Sequence, residues 1–136
     1  MGEVRTQVKL TNGTDIVNSI RGLISSDQIR SLIIDAIVDT GAARSVIPAF
    51  ILKKIGGRTL FEEDATYANG QTEKLGICEP IYFEIGDRRT YDEAYVVGDE
   101  VLIGQTVLEK MDLLVDCKSQ KVIPNPKHPN GPLLRI

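Results

Sequence analysis

Short stretches in which apolar residues alternate with polar ones, or form brief apolar runs, most restrict how this chain can fold. Asn69-Gly70, a typical hairpin turn, lies between two of them. The stretches cover residues 4–10, 31–38, 44–47, 60–67, 71–77, 81–85, 91–97, 101–103, 113–115 and 122–123. Alternation with a period of two is typical of half-buried strands. The pattern predicts a mainly β fold, either a small barrel or a sandwich.

Helical signals are fewer and shorter. Asp15 can cap a helix that ends near Gly22, and Pro48 fits the first turn of a helix over residues 49–55. Residues 106–111 also have a helical pattern. Because the strand signals dominate, we expect one or two short helices in this fold.

Length and charge limit the classes of function. The chain has 136 residues with 16 basic and 19 acidic side chains, so one domain is expected and the net charge is −3. The pI of about 5.2 argues against a nucleic-acid-binding surface, which needs clustered Lys and Arg. No apolar run approaches the roughly 18–20 residues of a membrane span, and the first residues lack a signal-peptide core. We therefore expect a cytoplasmic protein that binds neither nucleic acid nor membrane.

Reactive residues other than carboxylates are few. Cys78 and Cys117 lie 39 positions apart, and the one histidine, His128, lies among prolines. This arrangement supports neither a zinc site nor a Cys-His or Ser-His-Asp mechanism. A disulfide between the two cysteines stays open, although buried free thiols are the commoner state. We expect no metal and no organic cofactor, and we interpret His128 as an exposed surface residue.

Asp39 is the candidate for chemistry. It ends the apolar run over residues 31–38 and is followed at once by Thr40 and Gly41. One interpretation is a simple turn, because all three residue types favour turns and their side chains bond nearby backbone N–H groups. The other interpretation is a catalytic carboxylate that a rigid strand presents at its end.

The surroundings of Asp39 resemble the Asp-Thr-Gly-Ala signature of the retropepsin-like aspartic proteases. Two apolar residues precede the aspartate, and an apolar stretch that ends in Pro48 follows it. Asn69-Gly70, about 30 residues on, falls where that family has its β-hairpin flap, and residues 101–104 resemble its second apolar-apolar-Gly element. The resemblance covers about residues 31–124 and looks closest to the small bacterial members.

The resemblance implies a closed β-barrel and an aspartic endopeptidase. In such an enzyme one carboxylate of a pair activates water, while the other carries their shared proton and polarises the peptide carbonyl. Asp39 would be the catalytic residue, and Thr40 and Gly41 would support it. The resemblance assigns substrate binding to the groove floor and the flap, at Ala42, Ala43, Tyr67, Asn69 and Gly70.

The implied mechanism needs two carboxylates, but the chain contains a single Asp-Thr-Gly. Asp35 alternates with the inward positions of its strand and Asp116 ends another strand, so we interpret both as surface residues. Two identical chains that each donate Asp39 across a twofold axis would complete the pair. We therefore predict a homodimer that acts on a peptide or protein substrate.

The expected organisation is one domain over residues 1–136, with an N-terminal strand and helical extension (1–30), a core (31–124) and a Pro-rich tail (125–136).

Viral members of the family commonly carry an interface ion pair at the positions of Ala43 and Gln105, and both charges are missing here together. Residues 133–136 either join a dimer sheet or form a loose tail.

Two other interpretations are not enzymatic. A dimeric β-barrel of the same fold could bind peptides in its groove without cleaving them. A β-barrel adaptor could use Asp39 only as a turn residue. An Asp39→Asn exchange separates the three, because only the enzyme would lose cleavage while keeping its fold.

Overall fold

The computed structural model describes residues 3–133 of the chain. Within these residues short β-strands dominate, and three α-helices and one 3₁₀ turn lie between them. In chain order the elements are β1 (Val4–Asn12), α1 (Gly13–Ile20), the 3₁₀ turn (Ser26–Gln28), β2 (Ser31–Val38), β3 (Val46–Ile47), α2 (Ala49–Lys54), β4 (Thr59–Thr66), β5 (Thr72–Cys78), β6 (Ile81–Ile85), β7 (Arg88–Asp92), β8 (Tyr95–Val96), β9 (Leu102–Ile103), α3 (Gln105–Met111), β10 (Leu113–Asp116) and β11 (Lys121–Pro124). The mainly β prediction is confirmed, but the expected number of helices was too low.

The strands form an open, curled sheet rather than a closed barrel. Among the described residues nine strands follow the order β4-β5-β8-β3-β9-β2-β1-β6-β7, and β10 pairs only with β11. The closed barrel implied by the family resemblance is therefore not confirmed, because β4 and β7 are separate ends of this sheet. β7 pairs with β6 on one side, and helix α3 also packs against β7, where Lys110 Nζ donates a hydrogen bond to the Tyr91 carbonyl at 3.0 Å.

One hydrophobic core joins the sheet to α2 and α3. Leu10 of β1, Phe83 of β6 and Leu108 of α3 are almost completely buried in it. Each such side chain stabilises the fold by about 1.5–3 kcal/mol when it leaves water. Val38 and Ile103, the last residues of β2 and β9, belong to the same cluster. The core therefore holds the ends of these two neighbouring strands in place.

Asn12 and Gly13 form the junction between β1 and α1. The buried Asn12 side chain accepts a hydrogen bond from the Asp15 N–H at 2.9 Å and donates one to the Ile55 carbonyl at 2.8 Å. Asn12, not Asp15, is thus the N-cap of α1. Asp15 is buried against Arg30, whose guanidinium lowers the pKa of the Asp15 carboxyl. The N-terminal segment is tied to the core by these polar contacts.

Both cysteines are free thiols, as predicted. Cys78 is buried, and burial raises the pKa of its thiol to about 11. Cys117 is exposed, so the expectation of burial is wrong for this residue, which directly follows β10.

The expectation that His128 is an exposed surface residue is also wrong. His128 is half-buried, and its Nδ1 forms a hydrogen bond with the Asp112 carboxylate. The buried guanidinium of Arg88 donates to the carbonyls of Met111 at 3.1 Å and Asp112 at 2.7 Å, and also to that of His128. A hydrogen bond from Asn125 and then the contact with His128 lower the pKa of Asp112. The proline-rich tail is therefore anchored to the end of α3.

Of residues 133–136, for which a dimer strand or a loose tail was predicted, Leu133 is exposed and residues 134–136 lie outside the described residues. No helix in the described part of the chain is long and apolar enough to cross a membrane. Across residues 3–133, no three His, Cys, Asp or Glu side chains come together in a way that could hold a metal ion.

Candidate active site

Asp39 lies directly after β2, at a strand end that is held by its neighbours. β2 pairs in parallel with β9, and its other side pairs in antiparallel with β1. The Asp39 N–H donates to the Ile103 carbonyl at 3.0 Å, and the Ile37 N–H donates to the Val101 carbonyl at 2.9 Å. The backbone that presents the Asp39 carboxylate is therefore anchored to the sheet on its approach.

The carboxylate of Asp39 is exposed, and one of its oxygens is fixed. The Gly41 N–H donates to Asp39 Oδ1 at 2.9 Å, and the Ala42 N–H donates to the Asp39 carbonyl at 3.3 Å. Oδ2 accepts no hydrogen bond from the residues that the structure describes. A Cβ on Gly41 would lie 3.2 Å from Oδ1, so glycine leaves room for this close turn. Both the turn interpretation and the catalytic one predict the bond to Oδ1, and only the catalytic one needs a free second oxygen.

The loop after Asp39 is braced against the start of α3. The Gln105 N–H donates to the Ala42 carbonyl at 2.7 Å, and Thr106 donates to the Ala43 carbonyl through its N–H at 3.1 Å and its hydroxyl at 2.8 Å. The carbonyls of both alanines are thus already occupied. Ala42 is half-buried and Ala43 is exposed, so the Ala43 methyl group faces solvent next to the loop.

A buried serine, Ser45, also joins this loop to α3, and sequence reasoning missed it. Its hydroxyl accepts a hydrogen bond from the Gly104 N–H at 2.9 Å, and the serine is fully buried. A Cβ on Gly104 would lie 2.6 Å from the carbonyl carbon of Arg44, which explains glycine at that position. The sequence signal that could have identified it is a single hydroxyl residue, Ser45, directly before the apolar strand β3.

Two cavities flank Thr40. One, of about 380 Å³, is lined by Asp39, Thr40, Glu3, Val4, Ile37, Val38, Val115, Cys117 and Gln120. The second, of about 410 Å³, is lined by Thr40, Gln105, Leu108, Leu113, Leu114, Val115 and Cys117. Thr40 is exposed, and its hydroxyl forms no hydrogen bond with any residue from 3 to 133. The predicted support residue thus faces open space between β2 and the β10–β11 hairpin.

Three other carboxylates, those of Glu3, Asp35 and Asp116, are engaged by neighbouring side chains. Glu3 lines the same cavity, but its carboxylate pairs with Arg5 at 3.1 Å. Asp35 is exposed and pairs with Arg5 at 3.0 Å. Asp116 accepts a hydrogen bond from the Ser119 hydroxyl at 2.8 Å, and this bond lowers the pKa of Asp116.

The predicted flap is a hairpin formed by β4 and β5. Its turn is closed by hydrogen bonds from the Tyr67 N–H to the Gln71 carbonyl at 2.8 Å and from the Gly70 N–H to the Tyr67 carbonyl at 2.9 Å. Gly70 has φ = +85°, the left-handed conformation that favours glycine. The Asn69 side chain accepts from the Gln71 N–H at 2.9 Å, and the Tyr67 hydroxyl donates to Glu73 at 2.7 Å. The predicted flap residues Tyr67, Asn69 and Gly70 thus share one exposed turn.

Comparison of the whole structure with solved structures finds similar proteins, whereas comparison of the whole sequence with family profiles and curated proteins finds none. No family profile and no curated protein matches the sequence. The EIAV protease, solved in complex with the inhibitor HBY-793, superposes with a TM-score of 0.54 at 15% identity, over 80% of this chain and 88% of that chain. The retroviral protease-like domain of Ddi1 from Leishmania major superposes with a TM-score of 0.50 at 18% identity, over 76% of this chain and 86% of that one. The chain has a retropepsin-like fold.

The resemblance stated from the sequence is therefore confirmed at the level of the fold. Within the retropepsin-like fold, Asp39 follows a central strand, and the loop after it meets residues 103–106. At the two positions where viral members carry an ion pair, Ala43 has no charge, and the Gln105 amide donates to Glu109 at 3.1 Å. The loop and α3 are joined here by backbone hydrogen bonds. The assignment of catalytic and substrate-binding roles stays a prediction.

Proposed function

We propose that this chain is one subunit of a homodimeric aspartic endopeptidase in which each copy supplies one Asp39 carboxylate. The observation that carries the proposal is the state of that carboxylate. Oδ1 is held by the Gly41 N–H at 2.9 Å, whereas Oδ2 has no partner among the described residues, and Asp39 is exposed at a strand end of a retropepsin-like fold. A group that served only the turn would not need this accessible second oxygen.

The proposal requires two copies because one chain supplies one suitable carboxylate. The other candidates, Glu3, Asp35 and Asp116, are engaged by Arg5 or Ser119. A twofold axis beside Asp39 would bring the same residue of a second copy opposite it, which is the usual symmetry of homodimers. The unpartnered hydroxyl of Thr40 would then bond across the axis to the loop of the other copy.

Two carboxylates a few ångströms apart cannot both be ionised, so they share one proton. The ionised Asp39 would accept a proton from a water molecule, and that water would attack the peptide carbonyl carbon. The protonated Asp39 of the other copy would donate its proton to the carbonyl oxygen. When the tetrahedral diol collapses, the Asp39 that took the proton from water would donate it to the leaving amine as the C–N bond breaks. The other Asp39 would accept a proton from a diol hydroxyl, which leaves a carboxylic acid and restores the shared proton. This chemistry needs neither a metal nor an organic cofactor.

An extended peptide would be the substrate. Ala42 and Ala43 would form the floor of its groove, because small side chains leave room for a peptide backbone. The hairpin turn at Tyr67, Asn69 and Gly70 would close over the peptide and exclude water, which strengthens the polar contacts inside. Support for this role comes from the exposure of β4 and from the turn that projects beyond it.

The decisive test is a peptide-library digest by the wild type, Asp39→Asn and the matched control Asp35→Asn, with and without a statine-type inhibitor. Both aspartates are exposed and belong to the same strand or its end. Asparagine keeps an oxygen for the Gly41 N–H, so the Asp39→Asn chain should fold and dimerise. We expect cleavage to fall by about 10²- to 10⁴-fold or more in Asp39→Asn only.

Two results would contradict the proposal that Asp39 catalyses peptide cleavage. Undiminished, inhibitor-insensitive cleavage by Asp39→Asn would place the activity elsewhere. Peptide binding without cleavage by the wild type, equally strong in Asp39→Asn, would instead establish the non-enzymatic peptide-binding module.

A further inference from the structure

An apolar groove lies at the end of the molecule opposite Asp39. Val4 of β1 pairs with Val38 beside Asp39, whereas α1 begins after the other end of β1. At about 3.3 Å per residue, this strand separates the two ends by roughly 25 Å. The α1 groove, as we name it, is lined by Val17, Arg21, Pro80, Tyr82 and Tyr91 and has a volume of about 400 Å³. It is therefore independent of the proposed catalytic groove.

The surface of the α1 groove is unusually apolar for an exposed region. Val17 is 49% exposed and Tyr91 is 54% exposed, and Ile20 and Leu23 beside them reach 80% and 68%. Tyr82 and Tyr91 stack at a centroid distance of 5.6 Å, so one wall is a preformed aromatic surface. Exposed apolar surface of this kind marks interaction sites, and tyrosine is enriched in them.

The charges around the α1 groove are mainly positive, although the chain carries −3 overall. Arg21 lines the groove and forms no ion pair with any carboxylate between residues 3 and 133. Lys110 Nζ lies 5.8 Å from the centre of the Tyr91 ring, but Asp92 balances its charge at 3.4 Å, so Arg21 is the unpaired cation of the groove among the described residues. On the adjoining strands, Lys9 and Arg89 are the cross-strand neighbours of Glu84, so two basic residues flank one acidic residue in this row. An acidic partner would therefore be attracted to this region.

We infer that the α1 groove is a docking site for an acidic segment of a partner protein, which inserts an apolar or aromatic side chain between α1 and the stacked tyrosines. The volume suits one or a few side chains. Arg21 pairs with a carboxylate of the segment at the rim. A bilayer is a poorer occupant because the surface is concave, and a symmetric second copy would bring like charges together.

The test uses Asp39→Asn protein, so that no peptide is cleaved, and fluorescence anisotropy with two labelled synthetic peptides. One peptide alternates Glu with Leu and Phe, and the other has Lys in place of Glu. The groove variant carries Val17→Ser on α1 and Arg21→Glu at the residue that caps its C-terminal end, four positions later. The matched control carries Phe50→Ser and Lys54→Glu, with the same spacing on α2, where both residues are exposed.

We expect saturable binding of the Glu peptide, and binding weaker by about tenfold or more for the Lys peptide and for the groove variant. The control should bind the Glu peptide like the parent protein. Equal binding by the groove variant and the control, a preference for the Lys peptide, or no binding at all would overturn the inference. So would association with phosphatidylserine vesicles in place of the peptide, or a change of oligomeric state that occurs only in the groove variant.

Discussion

The hydroxyl of Ser45 accepts a hydrogen bond from the backbone N–H of Gly104 at 2.9 Å, in a fully buried position. The two residues are 59 positions apart, yet this bond joins the loop after Asp39 to the N-cap residue of α3. The side chain of Ser45 has no direct place in the proposed chemistry. Its effect on the site would pass through the position of the loop.

Removal of this hydroxyl should destabilise the protein and loosen the site. In Ser45→Ala the Gly104 N–H would stay buried without a partner, which should lower the free energy of unfolding by about 1–3 kcal/mol. Ser119→Ala, which removes an exposed hydroxyl that donates to Asp116, should change it by about 0.5 kcal/mol or less. Urea unfolding followed by circular dichroism measures both. An unchanged unfolding midpoint for Ser45→Ala would show that the bond adds no stability.

Mixing experiments should reveal whether two chains share one catalytic centre. If each centre uses one Asp39 from each copy, a mixed dimer with Asp39→Asn has an incomplete pair. A roughly ninefold excess of Asp39→Asn over a fixed amount of wild type should then lower the cleavage rate about tenfold after subunit exchange. The same excess of Asp35→Asn should not lower it. A rate independent of added Asp39→Asn would indicate that each chain is catalytically complete.

The flap role can be separated from general turn strain by comparing two glycines. Gly70 in the β4–β5 turn and Gly86 in the β6–β7 turn have φ of +85° and +60°, and a Cβ added at either position would meet no atom within 4 Å. Valine at either position should cost about 1–2 kcal/mol of stability.

Only Gly70→Val should then lower kcat/KM, by about 10- to 100-fold, because only that turn would close over the substrate. Dimerisation, followed by sedimentation velocity, should be unaffected in both variants. Equal losses of kcat/KM in Gly70→Val and Gly86→Val would remove the flap role.

Acid should weaken the attachment of the N-terminal segment through Asp15. Arg30 donates to the Asp15 carboxylate from Nε and Nη2, both at 2.9 Å, and lowers its pKa from the ordinary 3.8. A lowered pKa means that the folded state prefers the ionised carboxylate. The stabilisation is therefore complete above pH 3.8 and is lost as the pH falls through the lower folded-state pKa.

Asp15→Asn should consequently lower the free energy of unfolding at neutral pH by about 1–3 kcal/mol. The loss stays within this range because the side chain of its partner, Arg30, is half exposed to solvent. The variant should also lose less stability than the wild type between about pH 5 and pH 2. Asp35→Asn, in an exposed pair with Arg5, should cost about 1 kcal/mol or less. Urea midpoints across this pH range measure the difference. Parallel wild-type and Asp15→Asn curves would contradict the assignment.

Much of the site could be predicted because its signals are local. Apolar residues with branched side chains predict a strand over residues 31–38, and β2 spans Ser31–Val38. Asn69-Gly70 predicts a turn, and Gly70 adopts a left-handed conformation there. The sequence also predicts that Asp39 stands at the end of this strand, and in the structure Asp39 directly follows β2 and is exposed. Each of these features depends on a few adjacent residues.

The remaining features depend on residues that are far apart in the chain. The contact between Ser45 and Gly104 and that between Asp15 and Arg30 form only when the strands have taken their places. His128 looked exposed beside its prolines, but Asp112 lies next to it in the folded chain. The open sheet also depends on distant residues, because the pairing of strands from the whole chain leaves β4 and β7 at its two ends.

By itself, the sequence determined that the chain is rich in short strands and that a single Asp-Thr-Gly follows an apolar strand. Hydrophobic alternation and turn chemistry act over a few residues, so they can be read directly. Only the tertiary structure decided that the sheet stays open, that Asp15 is buried and that one oxygen of Asp39 is free among the described residues. Burial and hydrogen-bond partners depend on the path of the whole chain, because the groups that satisfy or cover a side chain come from distant segments.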